Sequence, residues 1–196
     1  MSFRIEKKLR LSQSELHSVK YFLTDQGMKS LYPDRCINSI YYDTSNFDLF
    51  HESEEGVLPR KKIRIRWYSN KNESKLEKKI SSIEGRYKEV QSIKNSNLDF
   101  IFDRTYGYLT PSIMVTYKRS YFSYKDLRIT LDQSIKYTNL RSHKRIETIE
   151  DECVMEVKAQ STLLEGYIFS VLPFLRISRF SKYCRGVESF GQYLKI

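Results

Sequence analysis

The sequence has few of the residues that build the commonest catalytic and metal-binding sites. Its three histidines, His17, His51 and His143, lie far apart, which argues against a histidine-centred triad or a histidine-based metal site. Its three cysteines are odd in number and widely spaced, so they match neither a disulfide framework nor a zinc site. We therefore expect reduced, intracellular thiols.

Long apolar stretches are also missing. The longest, GYIFSVLPFL (166–175), has about half the length of a membrane-spanning helix and contains Pro173. The first residues lack the apolar region of a signal peptide. We therefore expect a soluble, cytoplasmic protein without a transmembrane segment.

Positive charge is in excess. Lysine and arginine number 34 against 24 aspartates and glutamates, which gives a formal net charge of +10. Such an excess favours a polyanionic partner, whether nucleic acid, acidic lipid, nucleotide or inorganic phosphate. At 40% hydrophobic residues, the chain is too apolar to be disordered.

Alternating apolar and polar residues predict that strands dominate the chain. The strands are expected at 3–11, 37–44, 61–68, 74–80, 86–92, 112–123, 126–131 and 152–159. A capping box, SQSE (12–15), predicts a helix that Gly27 ends, and further helices are expected around 46–51, 161–174 and 178–194. We expect one α+β domain over residues 1–196, built on an antiparallel sheet.

Basic residues fall on one face of the predicted strand RKKIRIRWY (60–68). Arg60, Lys62, Arg64 and Arg66 occupy every second position, and alternate side chains of a strand share a face. Like charges at this spacing repel one another unless an anion lies beside them. For a single strand, a solvated basic face is the ordinary alternative.

Several other strands repeat this division into an apolar and a charged face. The charged sets are Lys75, Glu77 and Lys79; Arg86 and Lys88; Arg128, Thr130 and Asp132; and Glu156 and Lys158. Few helices are predicted to cover so many strands, and closing the sheet into a barrel would bury one face. Charged faces turned inward would line a cationic tunnel suited to a chain of phosphates. Glutamates among the cations suit Mg²⁺ or Mn²⁺.

Eight short stretches carry a resemblance to a known family through nearly the whole chain. They are FRIEKKL (3–9), SIYYDT (39–44), RKKIRIRWY (60–68), LEKKI (76–80), YKRSYF (117–122), LRITLD (127–132), VMEVKAQ (154–160) and SRFSKYCRGV (178–187). In this order and at these spacings, the chain resembles the VTC-type polyphosphate polymerase domain. That domain is a branch of the triphosphate tunnel metalloenzymes, related to the CYTH family. The resemblance implies a closed, eight-stranded antiparallel β-barrel with flanking helices, whose basic interior holds a nucleoside triphosphate and a metal ion.

The resemblance also implies roles for individual residues. The implied catalytic residues are Arg64, Arg66, Lys79, Arg128 and Glu156. The implied phosphate ligands are Lys8, Arg64, Arg66, Lys79, Lys88, Arg119, Arg128, Arg179, Ser181 and Lys182, the last three at the start of the final helix. Lys7 is an alternative to Lys8, and Arg86 is an alternative to Lys88.

A bound Mn²⁺ or Mg²⁺ is the implied cofactor. Glu156 is the principal expected ligand, with Glu77 and Glu6 as further candidates. Glu156 is also suited to pairing with an arginine, and Glu77 is equally suited to a salt bridge.

The implied activity is metal-dependent transfer of the γ-phosphate of ATP to a growing inorganic polyphosphate chain. One alternative is a tunnel-type triphosphatase or nucleotide hydrolase, and another is a non-catalytic module that binds polyphosphate or RNA. The expected partners are ATP and inorganic polyphosphate or triphosphate. No specific nucleic acid is expected, since the sequence shows no recognisable motif of base-stacking aromatics. The same residue pattern suits both a polymerase and a hydrolase.

Overall fold

The computed structural model describes residues 4–69, 73–94, 96–142, 144, 146–160, 165–173 and 176–191. The described strands are β1 (Arg4–Leu11), β2 (Lys29–Asp43), β3 (Arg60–Tyr68), β4 (Ser74–Ser82), β5 (Gly85–Ile93), β6 (Ile101–Asp103), β7 (Gly107–Tyr124), β8 (Leu127–Asn139), β9 (Ile146–Ile149) and β10 (Cys153–Gln160). The described helices are α1 (Gln13–Asp25), α2 (Asp48–Glu55), α3 (Glu165–Val171) and α4 (Lys182–Glu188). Antiparallel strands therefore dominate and helices are few, as the sequence predicts.

Hydrogen bonds connect the strands in the order β1-β10-β8-β7-β2-β3-β4-β5, with β6 on β7 and β9 on β8. The chain groups into two compact units. The first unit comprises Met1–Arg35, Tyr117–Ile135 and Glu150–Phe180, and the second comprises Cys36–Thr116, Lys136–Ile149 and Ser181–Ile196. That residues 1–196 form one domain stays a prediction.

In the first unit, β10 lies between β1 and β8 and is antiparallel to both. Leu9, Met155 and Ile129, one from each of these strands, are buried in one core cluster. Leu16 and Leu23 of α1 join that cluster. The predicted capping box is confirmed, because the Ser12 side chain accepts from the Glu15 N–H and the Glu15 side chain accepts from the Ser12 N–H.

In the second unit, β2, β3, β4 and β5 pair in sequence order, each antiparallel to the next. The apolar faces of these strands meet in a cluster that includes Ile40, Ile63 and Ile65. Leu49 of α2 and Leu109 of β7 belong to the same cluster. The opposite face of β3, β4 and β5 carries most of the charged side chains of these strands.

Several element bounds differ from the predicted ones. β2 begins at Lys29, well before the predicted start at residue 37. Its first six residues are all exposed, so this part of the strand has no buried face for an alternating pattern to mark. β6 and β9 span three and four residues, too few to give a periodic signal. α4 begins only at Lys182, since Ser181 caps it, and the first four residues of the predicted last helix (178–194) are not helical. Residues 161–164, 174 and 192–194 of the predicted C-terminal helices lie outside the described residues.

No helix within the described ranges combines the length and the apolar character that crossing a bilayer requires.

Candidate functional site

One face of β3, β4 and β5 in the second unit gathers most of the basic residues that the strand pattern singled out. In the register, Arg64 lies opposite Glu77 and Lys79 lies opposite Lys88. The cations on this face are Arg60, Lys62, Arg64, Arg66, Lys75, Lys79, Arg86 and Lys88. The predicted sharing of one face is therefore confirmed for these strands, and we call this surface the basic face.

Glu77 lies at the centre of the basic face and is 4% exposed. Its Oε2 accepts from Arg64 Nε at 2.8 Å and from Arg64 Nη2 at 2.6 Å. Its Oε1 accepts from Lys88 Nζ at 2.6 Å, and Arg66 Nη1 lies 3.8 Å from Oε2. Burial alone would raise the pKa of Glu77, but the charges of Arg64 and Arg66 and the Lys88 contact outweigh it and hold the pKa far below its usual range. This arrangement favours the salt-bridge role of Glu77 over the metal-ligand role.

A second contact orients Arg64 from the β2 side. Arg64 Nη1 donates to Tyr41 Oη at 2.9 Å. The Tyr41 ring stacks on the ring of Tyr183 with the centroids 4.9 Å apart, and the Tyr183 hydroxyl donates to Asp43 Oδ2. Asp43 is fully buried and also accepts the backbone N–H groups of Leu49 and other residues at the start of α2. The Arg64 guanidinium is thus held in place by both Glu77 and the stacked tyrosine pair.

Tyr41 and Tyr42 are adjacent on β2 and both are buried, but only Tyr42 belongs to the apolar core cluster. Tyr42 joins the apolar cluster, and its hydroxyl donates to the carbonyl of Leu98. Tyr41 is also buried, but its hydroxyl contacts Arg64 on the charged side of the sheet. The signal that was missed is alternation, because Tyr41 shares its strand face with Ser39 and Asp43.

The residues around the start of α4 are divided between the units. Ser181 caps α4 because its hydroxyl oxygen accepts a hydrogen bond from the Cys184 N–H. The same oxygen accepts a hydrogen bond of 2.7 Å from Lys62 Nζ. Lys182 belongs to the same unit as the basic face, and its charge acts on the Tyr41 hydroxyl. Burial raises the pKa of Tyr41, but Arg64, Arg66 and Lys182 together bring the value below the ordinary one. Arg179 is exposed and belongs to the first unit.

The first unit holds a cluster of three carboxylates and their cations, which we call the carboxylate cluster. Its members are Glu6, Lys8, Arg119, Asp132, Glu156 and Lys158. The register places Lys8 opposite Glu156 and Glu6 opposite Lys158. Glu156 is 7% exposed, and its Oε1 lies 2.6 Å from Lys158 Nζ. Burial would raise the pKa of Glu156, but the charges of Arg119, Lys158 and Lys8 keep it well below its usual range.

Arg119 belongs to this cluster although Val115 and Tyr117, which precede it at alternate positions of the strand, lie in the buried core. Its Nε donates to Asp132 Oδ1 and its Nη2 donates to Asp132 Oδ2 at 2.6 Å, while Glu156 Oε2 lies 4.0 Å from Nη2. Asp132 was not among the predicted site residues. It could have been found from its position in LRITLD, where it alternates with Arg128 and Thr130.

The remaining predicted phosphate ligands of the first unit are Lys8 and Arg128. Lys8 Nζ donates to the carbonyl of Phe180 at 3.3 Å and lies 3.6 Å from Glu6. The register puts Lys7 opposite Val157, on the other face, so Lys8 is the better placed of the two lysines. Arg128 is exposed and lies over the ring of Tyr121, with 5.6 Å from its guanidinium carbon to the ring centroid.

A family model matches most of the chain. Residues 3–107 and 97–191 match the VTC domain. The chain belongs to the VTC domain family. The resemblance drawn from the short stretches is thereby confirmed. No curated protein matches the sequence.

Solved structures share the fold of this VTC domain. The PH1012 protein from Pyrococcus horikoshii has a TM-score of 0.62 at 13% identity over 93% of this chain and 99% of that one. A candidate adenylate cyclase from Bacillus halodurans has a TM-score of 0.57 at 14% identity over 93% and 97% of the two chains. A candidate adenylyl cyclase from Hippeastrum, described as having a dominant triphosphatase activity, has a TM-score of 0.52 at 15% identity over 95% and 96%. At these identities the likeness shows the fold alone.

The carboxylate cluster of the VTC domain suits a divalent cation that a substrate helps to hold. Within the described ranges, no group of three histidine, cysteine or acidic side chains is arranged to hold a metal by itself. Mg²⁺, however, is usually held by one or two carboxylates together with substrate phosphates. Glu156 supplies such a carboxylate, and the Thr130 hydroxyl opposite it is buried without a partner in the described part of the chain. Both oxygens are of the kind that Mg²⁺ and Mn²⁺ prefer.

Proposed function

We propose that this VTC domain is a metal-dependent polyphosphate polymerase that transfers the γ-phosphate of ATP to a growing inorganic polyphosphate chain in the cytoplasm. The basic face carries the proposal, because its cations follow one another along three paired strands as phosphates do along a polymer. Family membership supports a triphosphate or polyphosphate substrate. The proposal includes a single domain over residues 1–196 and the closed eight-stranded barrel that the resemblance implies.

Arg64 is the most preorganised candidate phosphate ligand of the basic face. Glu77 fixes one edge of its guanidinium and Tyr41 fixes another, so little side-chain freedom remains to be lost when a phosphate binds. Arg66, Lys79 and Lys88 lie on the same face and add charge-assisted contacts. Phosphoryl transfer depends chiefly on such positioning and charge neutralisation.

The carboxylate cluster would hold the cofactor through Glu156. A Mg²⁺ or Mn²⁺ ion held there would supply neutralisation of charge on the transferring phosphoryl group. The terminal phosphate of the growing chain has a second pKa of about 6, so it is already largely ionised at neutral pH. The attack therefore needs no strong general base, which agrees with a sequence that has only three histidines.

Hydrolysis of triphosphate or ATP is the second candidate, and the triphosphatase activity described for the Hippeastrum protein favours it. A water nucleophile usually needs a positioned base or a metal-bound hydroxide. The terminal phosphate of a polyphosphate chain is already largely ionised and needs neither a base nor a metal-bound hydroxide to attack. For this reason we prefer transfer to a phosphate acceptor.

The test is to incubate the protein with ATP and Mn²⁺ and to resolve the products on a gel that separates phosphate polymers. Glu156→Gln removes the proposed metal ligand, and Glu89→Gln is the matched control, since Glu89 is an exposed carboxylate outside both charged surfaces. We expect a polyphosphate ladder with release of ADP, lost in Glu156→Gln and kept in Glu89→Gln.

Other products would change the assignment. Free phosphate without polymer, also lost in Glu156→Gln, would identify a hydrolase. Salt-sensitive binding of polyphosphate without turnover, unchanged in Glu156→Gln, would identify a non-catalytic binding module.

A further inference from the structure

Thr130 carries a buried hydroxyl that the fold does not use. The residue is 2% exposed, and its Oγ1 has no hydrogen-bond partner within the described part of the chain. A buried hydroxyl without a partner destabilises the folded state, and valine has nearly the same shape without that cost. A hydroxyl retained in such a place points to a ligand that the protein binds.

The surroundings of Thr130 indicate which ligand. Thr130 on β8 lies directly opposite Glu156 on β10, so the two side chains share a face. Asp132, two residues along β8, lies on the same face and holds Arg119. A phosphate oxygen here would lie beside the ionised carboxylate of Glu156, whereas a cation would be attracted to it.

A divalent cation could be exchanged for a cation that Glu156 already binds. Lys158 Nζ lies 2.6 Å from Glu156 Oε1, and Glu6 Oε2 lies 3.7 Å from the same ammonium group. Lys158 therefore has a second carboxylate to turn to when a metal takes its place at Glu156. The two positive charges that the metal adds would be offset by the substrate phosphates that complete its set of ligands.

We propose that the Thr130 hydroxyl is a ligand of the divalent metal, beside the carboxylate of Glu156. The pairing of a neutral hydroxyl oxygen with a carboxylate and substrate phosphates suits Mg²⁺ or Mn²⁺, as the Ser/Thr hydroxyl of a P-loop does. This inference rests on the metal dependence of the proposed function. It extends the metal site from the strand of Glu156 to the neighbouring strand.

The test compares Thr130→Val, which keeps the shape and removes the hydroxyl, with Thr130→Ser, which keeps the hydroxyl. Thr110→Val, at an exposed threonine of β7 in the second unit, is the control for introducing valine into a strand. Mn²⁺ binding is followed by electron paramagnetic resonance in the presence of the β,γ-imido analogue of ATP, which does not turn over. Denaturant unfolding of the metal-free proteins is the second measurement.

We expect Thr130→Val to bind Mn²⁺ at least about tenfold more weakly than the unmodified protein, because removing even a contact outside the ligand set gives a loss of that size. Its metal-free unfolding midpoint should be equal to or higher than that of the unmodified protein, because no hydrogen bond is lost. Thr130→Ser and Thr110→Val should both keep their Mn²⁺ affinity.

Three results would overturn the proposal. Unchanged Mn²⁺ affinity in Thr130→Val would show that the hydroxyl does not bind the metal. A lowered metal-free midpoint would show that the hydroxyl has a structural partner. An equal loss of affinity for the analogue with all metal chelated would show that the hydroxyl contacts phosphate. Failure of the unmodified protein to bind Mn²⁺ would instead refute the metal dependence of the proposed function as well.

Discussion

Glu77 is a fixed counter-ion of the basic face, and this role predicts an unusual pair of effects for Glu77→Gln. The substitution should lower the stability of the ligand-free protein. At the same time it should tighten the binding of inorganic tripolyphosphate measured without metal. A metal ligand at this position would give neither the tighter binding nor any change in a metal-free measurement of affinity.

The stability loss follows from the burial of the pair. Glu77 is 4% exposed and Arg64 is 9% exposed, and two hydrogen bonds of 2.6 and 2.8 Å join them. Breaking a buried ion pair by removing one partner costs about 3–5 kcal/mol. The side chain of Lys88 is 44% exposed, so its contact with Glu77 adds little. Glutamine still offers an oxygen to Arg64, so we expect the free energy of unfolding to fall by about 3 kcal/mol, the lower end of this range. Denaturant unfolding measures this loss.

The gain in affinity follows from the loss of competition. In the unmodified protein a phosphate must share Arg64, Arg66 and Lys88 with the Glu77 carboxylate. Once that charge is gone, the ligand is the main anion near these cations. We expect the dissociation constant for tripolyphosphate to fall about tenfold, which corresponds to about 1.4 kcal/mol. The loss of one competing charge pair is sufficient for a change of this size. Calorimetric titration with tripolyphosphate in a chelating buffer measures it.

The control for this prediction is Glu89→Gln, which removes one negative charge from the exposed side of β5. The control should change neither stability nor affinity by more than the general effect of one surface charge. Equal or weaker tripolyphosphate binding by Glu77→Gln would refute the reasoning. It would mean that the orientation that Glu77 gives Arg64 outweighs the competition of Glu77 with the ligand.

Two further predictions concern the second unit. Burial opposes ionisation of Asp103, but Lys61 and Lys78 lower its pKa to about 2. A pKa below the unfolded value gives stability that is present above about pH 4 and is lost as the pH falls to about 2. In Asp103→Asn, the free energy of unfolding should therefore fall by about 2 kcal/mol less between pH 4 and pH 2 than in the unmodified protein. In Gly186→Ala, the new methyl would overlap Ile113 Cδ1. We expect a loss of about 1–3 kcal/mol in denaturant unfolding, and unchanged stability would contradict the packing.

The faces of the strands could be predicted from sequence because they depend only on local geometry. Side chains alternate along any extended chain, so Arg64 and Arg66 share a face whatever strand lies beside them. The capping box before α1 is local in the same way, since Ser12 and Glu15 are three residues apart. Both predictions are confirmed.

The partners of each charged side chain could not be predicted, because they depend on register between strands. The pairing of Glu77 with Arg64 requires that β3 and β4 meet in one particular alignment. Arg119 meets Asp132 through a comparable alignment of the consecutive strands β7 and β8. The stacking of Tyr41 on Tyr183 joins residues near opposite ends of the chain. No periodicity within one strand contains this information.

The two charged surfaces differ in balance, and this difference assigns them different ligands. On the basic face, Glu77 is the only acid among the described register positions of β3, β4 and β5 that carry the cations. In the carboxylate cluster, by contrast, each acid contacts a lysine or an arginine, and Arg119 is bound by both oxygens of Asp132. A surface with more cations than acids gains most from a polyanion, whereas a balanced one can take up a divalent cation together with the phosphates that neutralise it. The binding of phosphate should therefore depend more on Arg64 and Arg66 than on Arg119. Arg119 can contact a phosphate only if its bidentate pair with the buried carboxylate of Asp132 breaks.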